Sequence, residues 1–322
     1  MPEATTPVET TAGARRSRPA SDASDAAPPP EGDDAALVPD EGEAGTVWRA
    51  LLDGRVPSAG TARGGEGAEL LARYGPLVAA GPRLVLAQLG QSLDGFVAAR
   101  TGDARHVTGE EDRRHLHRLR ALVDAVVVGA STVAADDCRL TVRSVRGPSP
   151  VRVVLDPRAR VPRGARLLAD GPPVLWCVAE DVRPGEHRSG GLRPGEGADA
   201  PALPSHVELV RLPAPGGAFD PAAVLAALAS RGLGRVLVEG GGRTVSAFLA
   251  AGVLDRLLVT TAPLLVGDGV PGLRFVGEDR LADALRPPAR RFALGEDSCL
   301  ELDLAALRPP PRTRSDASGP RS

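Results

Sequence analysis

From Arg83 onward the chain alternates short, continuous apolar runs with longer stretches in which apolar residues recur at helical spacing. Arg83-Leu84-Val85-Leu86-Ala87-Gln88 reads as a strand, and Glu110 to Val123 as a helix with Leu116, Leu119 and Val123 on one face. Ala125 to Gly129 is a strand again, running straight into Ala130-Ser131-Thr132. Further β-branched runs predict strands at Val151 to Leu155, Val174 to Val178, Val207 to Leu212, Arg235 to Glu239 and Arg256 to Thr260. Helices fit Pro221 to Ser230 and Arg243 to Ala251. Runs this apolar suit strands covered on both faces, and helices between them imply right-handed parallel crossovers. Arg290 to Leu294 and Ser298 to Leu304 flank Gly295-Glu296-Asp297, which predicts an antiparallel hairpin at one edge.

The flanks lack this pattern. Residues 1–44, with the Pro28-Pro29-Pro30 run, hold too few large apolar groups to offset the entropy of ordering, and residues 308–322 are similar, so both are expected to be disordered tails. Residues 45–81 read as an accessory segment and linker: a weakly helical stretch at Val47 to Leu52, a Gly-rich joint, then Leu70 to Val78 as an arm on the main domain. The domain itself is expected over 82–307, with Asp181 to Pro204 as a Gly- and Pro-rich surface insertion.

Composition narrows the function classes. With 322 residues, 42% of them hydrophobic, and interspersed charges summing to −2, the chain can bury a core and offers no footprint for nucleic acid or an anionic membrane. A small molecule is the expected partner. No apolar run reaches the length of a membrane-spanning helix, and the N-terminus lacks the apolar core of a signal peptide. Cys138, Cys177 and Cys299 are isolated, without CxxC spacing, which argues against a disulfide framework or a structural zinc and fits a reducing cytoplasm. His115 and His117 stand two apart on a predicted helix and point to different faces, so they read as structural instead of metal ligands.

The strongest local motif is Arg235-Val-Leu-Val-Glu239-Gly240-Gly241-Gly242-Arg243-Thr244-Val245-Ser246, a strand that ends in three glycines where a helix begins. Glycines admit a phosphate close to the backbone, and the helix N-terminus attracts its charge. The dinucleotide fingerprint is incomplete, because Val245 occupies the place of its third glycine. A diphosphate site and a plain strand-to-helix turn both fit. Ser92-Leu93-Asp94-Gly95 and the stretch Gly129 to Arg143, containing Thr132, Asp136, Asp137 and Cys138, place further polar groups at strand ends. Each alone reads as a turn, a cap or a solvated face; together they converge where open α/β sheets bind ligands.

The ordered set SLDG, RLRALVDAVVVGASTVAADDCRLTVR, PVRVVLD and RVLVEGGGRTVSAFLAAGVLDRL resembles the reductase domain of bacterial riboflavin-biosynthesis deaminase-reductases, the RibD C-terminal domain family. The resemblance implies a dihydrofolate-reductase-like fold, a mixed but mostly parallel sheet flanked by helices, assembled as a homodimer. It implies NADPH as hydride donor and 5-amino-6-(5-phosphoribosylamino)uracil as substrate. It places cofactor contacts at Gly90, His106, Thr132 and Asp136 and along Gly241, Gly242, Arg243, Thr244, Val245, Ser246 and Ala247. Substrate contacts fall on Ala104, Arg120, Leu140, Arg143 and Glu239, with Asp136 and Glu239 as the candidate catalytic carboxyls. Arg120 and Arg143 suit a sugar phosphate, and Arg158 and Arg160 are candidates for the adenosine 2′-phosphate. His106 stands where the family has Trp, Cys138 replaces its Pro, and Ala104 replaces a polar contact. The P-C-x-x-C part of the zinc deaminase signature is absent from the sequence. A dihydrofolate- or pteridine-type reductase on the same fold, and a non-catalytic NADPH-binding regulatory protein, stand as alternatives.

Overall fold

The computed structural model describes residues 42–62, 64–169, 171–182 and 203–308. Both expected tails, apart from 42–44 and 308, and most of the expected insertion after Asp181 lie outside the described residues. In chain order the helices are α1 (Gly42–Leu52), α2 (Gly65–Ala79), α3 (Glu110–Ala121), α4 (Ala130–Asp136), α5 (Arg166–Ala169), α6 (Pro221–Ala229) and α7 (Gly242–Ala250). The strands are β1 (Leu84–Ser92), β2 (Phe96–Ala99), β3 (Ala125–Gly129), β4 (Val151–Leu155), β5 (Val174–Ala179), β6 (Val207–Leu212), β7 (Arg235–Val238), β8 (Arg256–Ala262), β9 (Gly269–Pro271), β10 (Ala289–Leu294) and β11 (Asp297–Asp303).

Nine strands form one sheet in the order β10-β11-β8-β1-β7-β3-β4-β5-β6. From β8 to β6 every pairing is parallel, and β11 and β10 add an antiparallel hairpin turned by Gly295 and Glu296. All five residues of β3 and all six of β5 are buried, as both-face coverage requires. Alternate residues feed opposite faces. Val126 and Val128 join the cluster beneath α1, α2 and α3, while Ala125 and Val127 join that beneath α6 and α7. Local chemistry sets the helix ends: Asp220 caps α6 by accepting from the Ala222 amide at 3.0 Å, with Pro221 in the first turn. Glu110, Glu111 and Asp112 begin α3 and Arg118 and Arg120 end it, matching the helix dipole. No described helix is long and apolar enough to cross a membrane.

The expected accessory arm is part of the core. Helix α1 starts at Gly42, ahead of Val47, and α2 at Gly65. Trp48 and Tyr74 are fully buried, edge to face at 5.6 Å, in one cluster with Leu84, Leu119 and Val126. Leu119, on α3, is fully buried in that cluster, so α1 and α2 share the core of the domain expected over 82–307.

Candidate active site

Strand β7 lies between β1 and β3, so the carboxyl ends of these three central strands meet. A cavity of about 440 Å³ opens there. Its walls bring together Gly90, Ala104, His106, Thr132, Asp136 and Leu140, and Arg120, Glu239 and Gly241 complete the expected set within it. His106 and Leu140 both hold left-handed backbone, at φ 60° and 56°, which side chains adopt only where the surroundings fix them. Arg143 is not among the lining residues. Its amide instead donates to His117 Nδ1 at 3.1 Å, and its guanidinium donates to Thr141 Oγ1 at 2.9 Å.

At one wall Arg120 and Glu239 form a bidentate pair. Arg120 Nε donates to Glu239 Oε1 at 2.8 Å and Nη2 to Oε2 at 2.7 Å, while Nη1 reaches the Thr141 carbonyl at 3.1 Å. Both side chains are more than nine-tenths buried. Arg120 thus lines the cavity with its Nε–Nη2 edge held by a protein carboxylate. Asp136, by contrast, is exposed at the end of α4.

The three glycines divide their tasks. Gly240 has φ 102°, and a Cβ there would meet Thr132 Oγ1 at 2.9 Å. At Gly242 a Cβ would overlap the carbonyl oxygens of Gly272 and Pro271. Gly241 has φ −59°, open to any residue, and a Cβ would meet nothing closer than Thr132 Oγ1 at 3.5 Å. Its amide donates to that hydroxyl at 3.0 Å, tying the start of α7 to α4. Thus Gly240 and Gly242 serve packing, and Gly241 leaves open space at the cavity wall.

A second cavity, about 630 Å³, lies on the other side of the α7 N-terminus and shares Ser131 with the first. Arg243, Thr244 and Ala247 line it, as do Arg158 and Arg160. Val245 and Ser246 do not reach either cavity: Val245 is in the core, and Ser246 Oγ accepts from the Arg274 amide at 2.8 Å. Gly242, Val245 and Ser246, three of the seven expected contacts along this run, line neither cavity.

The sequence reading missed Asp112. It is 3% exposed yet lines the first cavity, accepting from Thr260 Oγ1 at 2.7 Å and from Gln88 Nε2 at 3.3 Å. Burial holds its carboxyl above the usual carboxylate range, against the opposing hydrogen bonds from Thr260 and Thr108, with nearby Asp297 adding to the rise. An acid in the first turn of a helix is ordinary, and no local pattern marks this one. A raised pKa makes the folded form bind the proton more tightly, so this group's stabilisation is complete below about pH 4 and lost as pH rises through its folded value. Asp112→Asn should therefore gain stability relative to the parent between pH 4 and pH 8. Melting temperatures across that range check it; parallel curves would show a carboxyl with an ordinary pKa.

Other expected groups are structural. Asp94 accepts from Ser92 Oγ at 2.5 Å and from the Gly267 amide at 2.7 Å, which pins the loop after β8. These bonds, that from Ser92 foremost, hold its carboxyl below the usual range. His115 Nδ1 meets Tyr74 Oη at 2.7 Å, and burial with Arg73 and Arg118 nearby lowers its pKa to about 3. The Cys138 thiol is pushed up to about 12 by burial, which suits packing and not nucleophilic attack. Among the described residues no cluster of His, Cys, Asp and Glu could hold a metal ion.

The family model of the RibD C-terminal domain matches residues 83–286. The 2,5-diamino-6-ribosylamino-4(3H)-pyrimidinone 5′-phosphate reductase of Methanothermobacter thermautotrophicus is 36% identical over 223 residues, covering 67% of this chain and 96% of that protein. The riboflavin biosynthesis protein RibD of Aquifex aeolicus is 31% identical over 211 residues, 64% of this chain and 54% of its own length. Against that longer relative the chain spans about half. Among solved structures, Acinetobacter baumannii RibD superposes with a TM-score of 0.54 at 26% identity, covering 73% of this chain and 63% of that one. The riboflavin biosynthesis reductase Rib7 of Saccharomyces cerevisiae gives 0.52 at 19% identity over 69% of this chain and 89% of its own, a likeness of fold.

Proposed function

The chain belongs to the RibD C-terminal domain family, and from that premise we propose that it is an NADPH-dependent reductase of riboflavin biosynthesis, converting the ribosyl group of 5-amino-6-(5-phosphoribosylamino)uracil to the ribityl product. The observation that carries this reading is the pair of cavities meeting at the α7 N-terminus, one lined by a carboxylate–guanidinium pair and the other by three arginines. A dinucleotide would lay its diphosphate against Gly241, its nicotinamide toward Gly90 and His106, and its adenosine end toward Arg158, Arg160 and Arg243. NADPH, when bound, would supply the hydride that reduces the ribosyl C1′ of the ring-opened imine. This chain's own residues orient the reactants: Glu239, held by Arg120, offers carboxylate oxygens to polar substrate groups, and Leu140 closes the cavity wall. Asp136, exposed at the rim, is the candidate to exchange a proton with solvent.

A second substrate is favoured by a specific observation, since the Methanothermobacter relative covered over 96% of its length is named for the 2,5-diamino-pyrimidinone form. Oxidation of NADPH with each phosphoribosylamino-pyrimidine, and with dihydrofolate and a dihydropteridine, separates the readings. Turnover of neither ribosylamino compound, with tight NADPH binding, would leave the regulatory alternative. The reductase unit is proposed to comprise residues 42–308 and to work in the cytoplasm, where the free Cys138, Cys177 and Cys299 remain reduced. A homodimer is supported by the exposed apolar side chains of Leu265, Val276 and Leu281, at 71%, 99% and 83% exposure. Light scattering of the purified protein tests it, and a monomer at micromolar concentration would refute it.

Cofactor preference gives a sharper expectation. Arg158→Ala with Arg160→Ala should weaken NADPH about tenfold or more while leaving NADH affinity nearly unchanged, because only NADPH carries the extra phosphate. Calorimetric titration with both nucleotides is the check. An equal loss for the two would remove the arginines from phosphate recognition.

A further inference from the structure

Helices α1 and α2 precede the stretch that the family model matches, yet they contribute several of the largest fully buried side chains, Trp48, Leu51, Leu70 and Tyr74. Their contacts reach the segment that follows α4. Trp48 Nε1 donates to the Arg146 carbonyl at 2.8 Å, and Leu52 Cδ2 stands 3.3 Å from where a Cβ on Gly147 would lie. Arg146 and Gly147 belong to the segment 138–147, which carries Leu140 and Arg143 and has no helix or strand of its own. A segment without a ladder keeps one shape only if other elements hold it.

Its anchors account for that shape. Helix α3 holds it from one side, through Arg120 to the Thr141 carbonyl and through His117, which accepts from the Arg143 amide. Val145 is 5% exposed in the same core cluster as Trp48. Helix α1 supplies the hold at the far end, and α1 and α2 are themselves locked to α3: Arg118 lies 5.7 Å over the Trp48 ring and pairs with Glu66 at 3.2 Å, and Tyr74 bonds His115. Leu140 lies at the cavity wall in left-handed backbone, a conformation that persists only where the surroundings hold it.

We propose that the α1–α2 pair is a positioning element for substrate, in which Trp48, by gripping the Arg146 carbonyl, fixes the segment that carries Leu140 into the cavity wall. The proposal rests on the reading above that this segment faces the phosphoribosylamino-pyrimidine. Trp48 touches neither substrate nor cofactor; it acts through the loop.

Trp48→Phe in the full chain keeps a buried ring and removes the N–H. Its KM for the ribosylamino-pyrimidine should rise about tenfold, the order expected for one lost buried hydrogen bond, with kcat and NADPH affinity little changed and amide exchange faster across 138–147. Leu52→Ala, which leaves the indole in place, should shift KM in the same direction and decides the matter if Trp48→Phe does not fold. Leu140→Ala is the control for the reading beneath, because Leu140 lines the cavity: it should raise KM, and combined with Trp48→Phe should add little. A lowered melting temperature with unchanged KM, while Leu140→Ala raises it, would reduce Trp48 to packing and overturn the proposal. An unchanged KM in Leu140→Ala would overturn the loop's substrate role and the proposal with it.

Discussion

Gly241→Val is expected to abolish NADPH binding while leaving the melting temperature close to the parent's. The three consecutive glycines make this separable. At Gly242 any side chain runs into the carbonyls of Pro271 and Gly272, and at Gly240 the left-handed backbone and Thr132 both resist one. At Gly241 the backbone is in a region open to all residues and the Cβ position faces room. The need for glycine there is therefore not conformational, and the branched side chain would fill space that a diphosphate needs beside the α7 amides. Gly242→Val is the contrast: it should lose stability and cofactor together. Calorimetric titration and thermal unfolding of both variants are the measurements. Retention of NADPH binding by Gly241→Val would make the glycine run a packing device and move the diphosphate elsewhere.

That separation was invisible in the sequence, and the reason is general to this fold. The parallel strands were legible because each is covered on both faces and so appears as an unbroken apolar run, Ala125 to Gly129 being the clearest. The hairpin was legible from Gly295, and the convergence of motifs at strand ends from their order along the chain. What could not be read depends on pairs far apart in sequence. Trp48 and Arg146 are 98 residues apart, and Arg120 and Glu239 are 119 apart. No local pattern distinguishes an arginine facing a ligand from one facing a buried carboxylate. The same holds for α1 and α2: a short amphipathic stretch with one Trp reads as marginal until the α3 surface that covers it is known. Val245 and Ser246, expected as contacts in a continuous run, lie in the core and against the Arg274 amide, because a helix carries successive side chains round to different faces.

Arg120 and Glu239 give the second large effect, and a double-mutant cycle tells which role the pair has. Removing one partner of a buried pair leaves an uncompensated charge and costs roughly 3–5 kcal/mol, whereas removing both can be nearly neutral. Arg120→Met should therefore lower stability strongly, and also activity, because the Glu239 carboxylate left alone must take up a proton or draw water into the cavity. Glu239→Gln keeps the shape and one hydrogen bond from Arg120; its turnover should fall about tenfold or more with NADPH affinity little altered. The double variant should be more stable than the sum of the singles implies, by roughly 0.5–3 kcal/mol of coupling. Were Arg120 instead a direct phosphate anchor, Arg120→Met would raise KM for the phosphorylated substrate without a matching loss of stability. Its effect would then add to that of Glu239→Gln, because each would touch a different ligand group. Thermal unfolding and steady-state rates on the four proteins decide between the two, and the bidentate geometry at 2.7–2.8 Å predicts the coupled result.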